Sequence, residues 1–192
     1  MIIVQLLGGL GNQLFQYAAA RALAVANNTG VLLDTTNFKT EGPRTFDLLN
    51  FHVDASVATD TEINTLKCVN SFQRVRAYLT PYAKKTFYKQ PYFHFDKRFL
   101  LLRDPVYIKG YFQSEKYFDS IKELIRKELV LRDAIAPSIA NLASHMGQEN
   151  SVSLHVRRGD YKVNKTALKY HGIVPLSYYQ TAVTLMQQRN PD

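Results

Sequence analysis

The chain has 192 residues, 46% of them hydrophobic and 21% charged, enough to bury roughly 70% of its unfolded surface, which excludes a disordered or low-complexity protein. Its 24 Lys and Arg against 16 Asp and Glu give a net charge of +8, suited to an anionic ligand or membrane surface. The neighbouring basic pairs, Lys84-Lys85, Arg126-Lys127 and Arg157-Arg158, are scattered, and without a basic stripe no nucleic-acid partner is expected.

Cys68 is the single cysteine, so no intrachain disulfide forms, and it reads as a small buried apolar residue. Ile2 to Leu7 is preceded by no basic leader and is too short to span a bilayer. The expected location is cytoplasmic, with peripheral contact at the inner face of the membrane.

Ile2 to Leu7 predicts a buried strand, Gly8 to Gly11 a tight turn, and Asn12 to Val25 a helix with Phe15, Ala18, Ala19, Ala22 and Leu23 inward. A break at Asn27 to Gly30 leads to a second short strand, Val31 to Asp34. This βαβ unit implies a parallel sheet and a Rossmann-like opening. From Thr35 to Asp104 the pattern weakens and turns aromatic, with Phe87, Tyr88, Tyr92, Phe93, Phe95 and Phe99 among basic residues. Packing in a core or interface accounts for most of these, and a platform stacking sugar or base is the alternative.

Val106 to Phe112 predicts another strand and turn, followed by a helix capped by Ser114 with Phe118, Ile121, Leu124, Ile125 and Leu129 inward. A break at Arg132 to Ala136 precedes a small-residue helix, Ser138 to Met146, and a turn at Gly147 to Asn150. Ser151 to Arg157 then alternates as a strand, with Val152, Leu154 and Val156 on one face and Ser153, His155 and Arg157 on the other. Ser177 to Gln180 reads as a capping box opening the last helix. No strand follows that helix, although a parallel sheet begun at Ser151 needs one, so the chain is expected to be the N-terminal portion of a longer protein. The expected domains are residues 1–148 and the start of a second, 149–192.

Two segments carry chemistry. His155-Val-Arg-Arg-Gly-Asp-Tyr161 sets two guanidiniums, an imidazole and a carboxylate at a strand end, and the planar fork of arginine matches phosphate oxygens. A solvent-facing strand end is the alternative reading. Gly9-Leu-Gly11 between strand and helix resembles a dinucleotide fingerprint, with Asp34 near the position of a ribose-binding acid. This keeps an NAD-dependent oxidoreductase built on Gly9 to Asp34 open as an alternative. Leu14 at the third glycine position weakens it, but a free helix N-terminus suits any phosphate.

Four ordered motifs, Gly8-Gly-Leu-Gly-Asn-Gln-Leu-Phe-Gln-Tyr17, Gly110-Tyr-Phe-Gln-Ser114, His155 to Tyr161 and Ser177-Tyr-Tyr-Gln180, resemble bacterial family 11 glycosyltransferases, the α-1,2-fucosyltransferases. The resemblance implies a GT-B fold, two Rossmann-like domains facing across a cleft, of which the second would be incomplete. It implies inverting transfer of fucose from GDP-fucose to the 2-hydroxyl of a terminal galactoside, on an oligosaccharide or lipid-linked glycan, with no metal and no cofactor besides the donor. By similarity, Arg157 would bind the donor phosphate and Arg158 would orient it, while His155 would help place the nucleotide. Gly9, Gly11, Asn12 and Gln13 would approach the diphosphate or acceptor from the opposite domain. Asp160 would be the general base or would fix the two arginines, although a carboxylate beside arginine has a lowered pKa and is the weaker base. A non-catalytic module binding nucleotide-sugar or glycan is a further alternative.

Overall fold

The computed structural model describes residues 1–39, 44–67, 75, 79–134, 136–156, 168–169 and 172–190. The chain divides into two compact units, Met1–Ala134 and Ile135–Asp192.

The first unit is built on a five-stranded parallel sheet of order β3-β2-β1-β5-β4. Its strands are β1 (Ile2–Gln5), β2 (Val31–Asp34), β3 (Ser56–Val57), β4 (Phe87–Lys89) and β5 (Val106–Lys109). Among the described residues this unit includes the helices α1 (Leu10–Ala26), α2 (Asp60–Leu66) and α3 (Lys122–Glu128). Every residue of β1 is buried because the sheet is covered on both faces, as its consecutive apolar residues Ile2, Ile3 and Val4 demand. On one face Ile2, Val4, Val31, Leu33, Val106 and Ile108 pack with Ala19, Leu23 and other residues of α1. On the other, Ile3 and Tyr107 pack with Ile63 and Leu66 of α2. The expected βαβ opening and its parallel sheet are both present, which makes this unit Rossmann-like.

Between β2 and β5 the sequence pattern was weakest, and there the fold supplies α2 with a signal that composition obscures. Thr59 accepts from the Glu62 N–H, and the Glu62 carboxylate takes the Thr59 N–H in return, a reciprocal capping box.

Three expectations need correction. Ser114 caps no α-helix: two short 3₁₀ turns, Glu115–Tyr117 and Asp119–Ile121, come first, and α3 begins only at Lys122. Tyr117 is drawn into the core, where its hydroxyl takes the Asp96 N–H at 3.0 Å, so the chain cannot run straight into an amphipathic helix. In the second unit, which holds α4 (Pro137–Gln148) and α5 (Leu176–Arg189), Ser151 to Val156 is not a strand. A parallel strand needs a neighbour to share its hydrogen bonds, and among the described residues this unit supplies none, so Val152, Leu154 and Val156 are exposed. Finally, Pro175 stands at the N-cap of α5 with φ −68°, so Ser177 lies inside the helix and makes no capping box.

Candidate functional site

Leaving β1, the chain crosses through α1 to β2 on one side. It returns by way of β4 to β5 on the other side of β1. Such a switch point, outside the carboxyl ends of β1 and β5, is where open parallel sheets bind ligands. Two turns meet there, Gly8 to Leu10 after β1 and Gly110 to Gln113 after β5.

Gly8 adopts φ +80°, and a Cβ on it would run into the Asn12 amide, so glycine both makes the turn and leaves room for Asn12 to fold back. Gly9 is the N-cap of α1, and no side chain caps the helix. The first turn carries no acid either, leaving a positive dipole end facing the rim. A Cβ at Gly11 would meet nothing within 4 Å, and one at Gly9 only an Arg44 guanidinium nitrogen at 3.7 Å. Glycine at these two positions is therefore not required by internal packing, and it keeps the surface open.

Three amides on the opening turns of α1 hold three different pieces of the rim. Asn12 Oδ1 accepts from Gln113 Nε2 at 2.8 Å. Gln13, with no exposed surface, donates from Nε2 to the carbonyls of Thr45 at 2.8 Å and Gly8 at 3.2 Å, while its Oε1 takes the Asp47 N–H at 3.1 Å. Gln16, equally buried, accepts the Leu7 N–H at 3.0 Å and donates to the Gly110 carbonyl at 3.1 Å. Asn12 thus stands half-buried where the two exit turns meet. Gln13 is turned inward, and all it holds is backbone. The importance of Gln16 was not read from the sequence, although its place one turn beyond Asn12 and Gln13, on the same helix face, was the available signal.

The β5 exit is fixed with equal care. Gln90 Oε1 accepts the N–H groups of Tyr111 and Phe112 at 2.9 and 3.0 Å. Only a glycine at position 110 admits it, since a Cβ there would lie 2.7 Å from that oxygen. Phe112 itself takes φ +52°, rare for a bulky residue, and its fully buried ring packs on Phe99 and Tyr117. This left-handed residue aims Gln113 back at Asn12.

Asp34 does not serve as an open ribose-binding acid. Its carboxylate is fully buried and takes the Thr36 hydroxyl at 2.6 Å, the Thr36 N–H at 2.9 Å, the Tyr107 hydroxyl at 2.6 Å and Lys67 Nζ at 3.4 Å. Burial alone would raise its pKa, but these donors and the lysine charge hold it below the ordinary carboxylate value. Burial followed by the bond to Asp34 pushes the Tyr107 hydroxyl far up, so it stays a donor. The pair ties β2 to β5 across β1, and no acceptor is left for a ribose.

His155 is exposed in the second unit, and Arg157, Arg158 and Asp160 lie outside the described residues. Among the described residues no helix is long and apolar enough to cross a membrane.

A parallel sheet whose switch point gathers a glycine turn, an uncapped helix start and converging amides defines a Rossmann-like fold. The chain matches Glycosyl transferase family 11 over residues 1–191 and belongs to that family. It is 30% identical over 198 residues to the alpha-1,2-colitosyltransferase of Escherichia coli, an overlap covering 98% of this chain and 65% of that protein. It is 28% identical over 202 residues to the O-antigen biosynthesis glycosyltransferase WbnK of Escherichia coli, covering 94% of this chain and 66% of that protein. The chain thus spans a little under two thirds of the length of these relatives. No solved structure matches it.

Proposed function

We propose that this chain belongs to an inverting glycosyltransferase of GT-B architecture that moves fucose from GDP-fucose to the 2-hydroxyl of a terminal galactoside. The observation that carries the reading is the junction of the two exit turns through Asn12 and Gln113, which gathers motifs about a hundred residues apart at one switch point in a chain of this family. In the reaction, the acceptor 2-hydroxyl oxygen bonds to the sugar C1 as the C1–O bond to GDP breaks. The hydroxyl proton passes to a carboxylate, for which Asp160 is the candidate, and the electron pair leaves with the β-phosphate. Arg157 neutralises that phosphate without a bound cation, and Arg158 and His155 orient the nucleotide. Residues 149–192 then open the donor-binding domain, while Gly9, Gly11 and Asn12 contribute substrate contacts from the turn after β1 and Gln13 holds that turn in place.

A second reading concerns the donor sugar. The relative with 30% identity is named for colitosyl transfer in the same α-1,2 sense, which favours a colitosyl donor at the same site.

The test is donor titration and turnover on active enzyme with the GDP-linked fucosyl and colitosyl sugars and with NAD. Preferential turnover of the fucosyl donor supports the first reading, and preference for the colitosyl donor supports the second. Binding of NAD with no GDP-sugar binding overturns both.

A further inference from the structure

We propose that two stacked ring pairs at the exits of β4 and β5, Phe93 with Tyr111 and Tyr92 with His94, form a platform that holds the neutral acceptor sugar. The proposal rests on the glycosyl-transfer reading above and adds the site that reading leaves unassigned.

The aromatic run after β4 splits into two classes. Tyr88 and Phe99 are core residues, and Phe95 packs edge-on against the buried Tyr117 with centroids 4.9 Å apart. Tyr92 and Phe93 face solvent instead, 55% and 79% exposed. The Phe93 ring lies 6.3 Å from Tyr111 at 28°, and the Tyr92 ring lies 4.9 Å from His94 at 7°. One exposed ring needs no explanation, but two near-parallel stacks on adjacent exits leave a broad apolar surface in water.

Their position is that of the site. Tyr111 stands two residues past β5, and two further residues along is Gln113, which bonds Asn12. Gln90 ties the two exits together: its Oε1 holds the Tyr111 and Phe112 N–H groups, and its Nε2 donates to the Tyr117 hydroxyl at 3.3 Å. That hydroxyl takes the Asp96 N–H in turn. The backbone that carries Tyr111 is therefore held in place, which lowers the entropy lost on binding.

The chemistry fits a sugar. A pyranose presents an apolar C–H face to a ring and hydroxyls at its edge. A shallow depression of about 350 Å³ is lined by Tyr92 and His94, with Lys97 and Arg98 contributing polar groups. The one carboxylate there, Asp96, is already bound by Arg98 at 2.8 Å and by the Tyr88 hydroxyl at 3.2 Å, so no acid selects for a cation. Two stacks offer more than one ring face, which suits successive sugars of an oligosaccharide better than a single base.

Saturation-transfer NMR with lactose and N-acetyllactosamine, two neutral β-galactosides, tests this on the active enzyme, with GDP-fucose titrated in parallel. Phe93→Ala and Tyr92→Ala should each weaken sugar binding by about tenfold while leaving the melting temperature and GDP-fucose affinity unchanged, and Phe93→Trp should restore it. Unchanged sugar binding in both alanine variants, or no binding to the wild type, overturns the platform. Displacement of the sugars from these rings by GDP assigns the rings to the donor base and overturns it as well. Sugar binding with no GDP-fucose binding would remove the fucosyl-transfer reading and leave the platform standing.

Discussion

Gln113 Nε2 donates to Asn12 Oδ1 at 2.8 Å, joining two turns that lie 101 residues apart in the chain. Both side chains border solvent, so the bond adds little to stability, and its consequence is to fix the shape of the rim. Asn12→Ala and Gln113→Ala should each change unfolding free energy by less than about 1 kcal/mol and lower kcat/KM by about tenfold or more. The double variant should lose little beyond the worse single one, because the pair acts as a unit. Steady-state kinetics on the four proteins, with urea unfolding alongside, measures both quantities.

Gln13 should behave in the opposite way. Its replacement by alanine removes the partner of the Asp47 N–H and of the Thr45 and Gly8 carbonyls, and should destabilise the fold by about 1–3 kcal/mol. Denaturant titration would show a lower midpoint with an unchanged slope.

Gly11→Ala separates packing from ligand contact. Nothing lies within 4 Å of the added methyl group, and alanine in a helix is favoured over glycine by about 0.5–1 kcal/mol. The variant should fold at least as well as the parent. If Gly11 lines the substrate, its KM for donor or acceptor should nevertheless rise.

The buried Asp34 makes stability depend on acid pH. Its folded pKa lies below its unfolded value, so its contribution is complete at neutral pH and persists down to the ordinary carboxylate value of about 3.9. It is lost as pH falls further, through the depressed folded value. Asp34→Asn should cost about 3 kcal/mol at pH 7 and flatten stability against pH in that acid window. Thermal melts of the two proteins from pH 7 to pH 3 measure the difference.

Arg157→Ala in active enzyme should reduce turnover by about a hundredfold or more with the melting temperature unchanged, since a guanidinium on the leaving phosphate acts mainly in the transition state. Full retained activity would remove Arg157 from the mechanism.

Much of the sheet was legible in the sequence because its signals are local. A continuous apolar run at Ile2, a glycine turn and a helix-period pattern after it specify β1, α1 and β2 through contacts within some thirty residues. The segment between β2 and β5 was not legible in the same way. There, two short strands and a seven-residue helix draw their stability from long-range burial of residues such as Ile63 and Tyr88, and carry little periodicity of their own. Conversely, the alternation at Ser151 to Val156 is a strong local signal that makes no strand where, among the described residues, the unit offers no neighbour.

The site divides along the same line. The amino-acid sequence by itself determined the Gly8 turn, the amides of the first turns of α1 and the resemblance to a glycosyltransferase family, since each is written in consecutive residues. Only the tertiary structure decided what each of those amides holds: Asn12 meets Gln113, whereas Gln13 and Gln16 are consumed by backbone. It also decided that Asp34 is sealed against Tyr107, and that Phe93 stands in solvent while Phe99, six residues on, is core. The physical reason is that the partner of a polar group, and the burial of a ring, depend on residues tens to a hundred positions away.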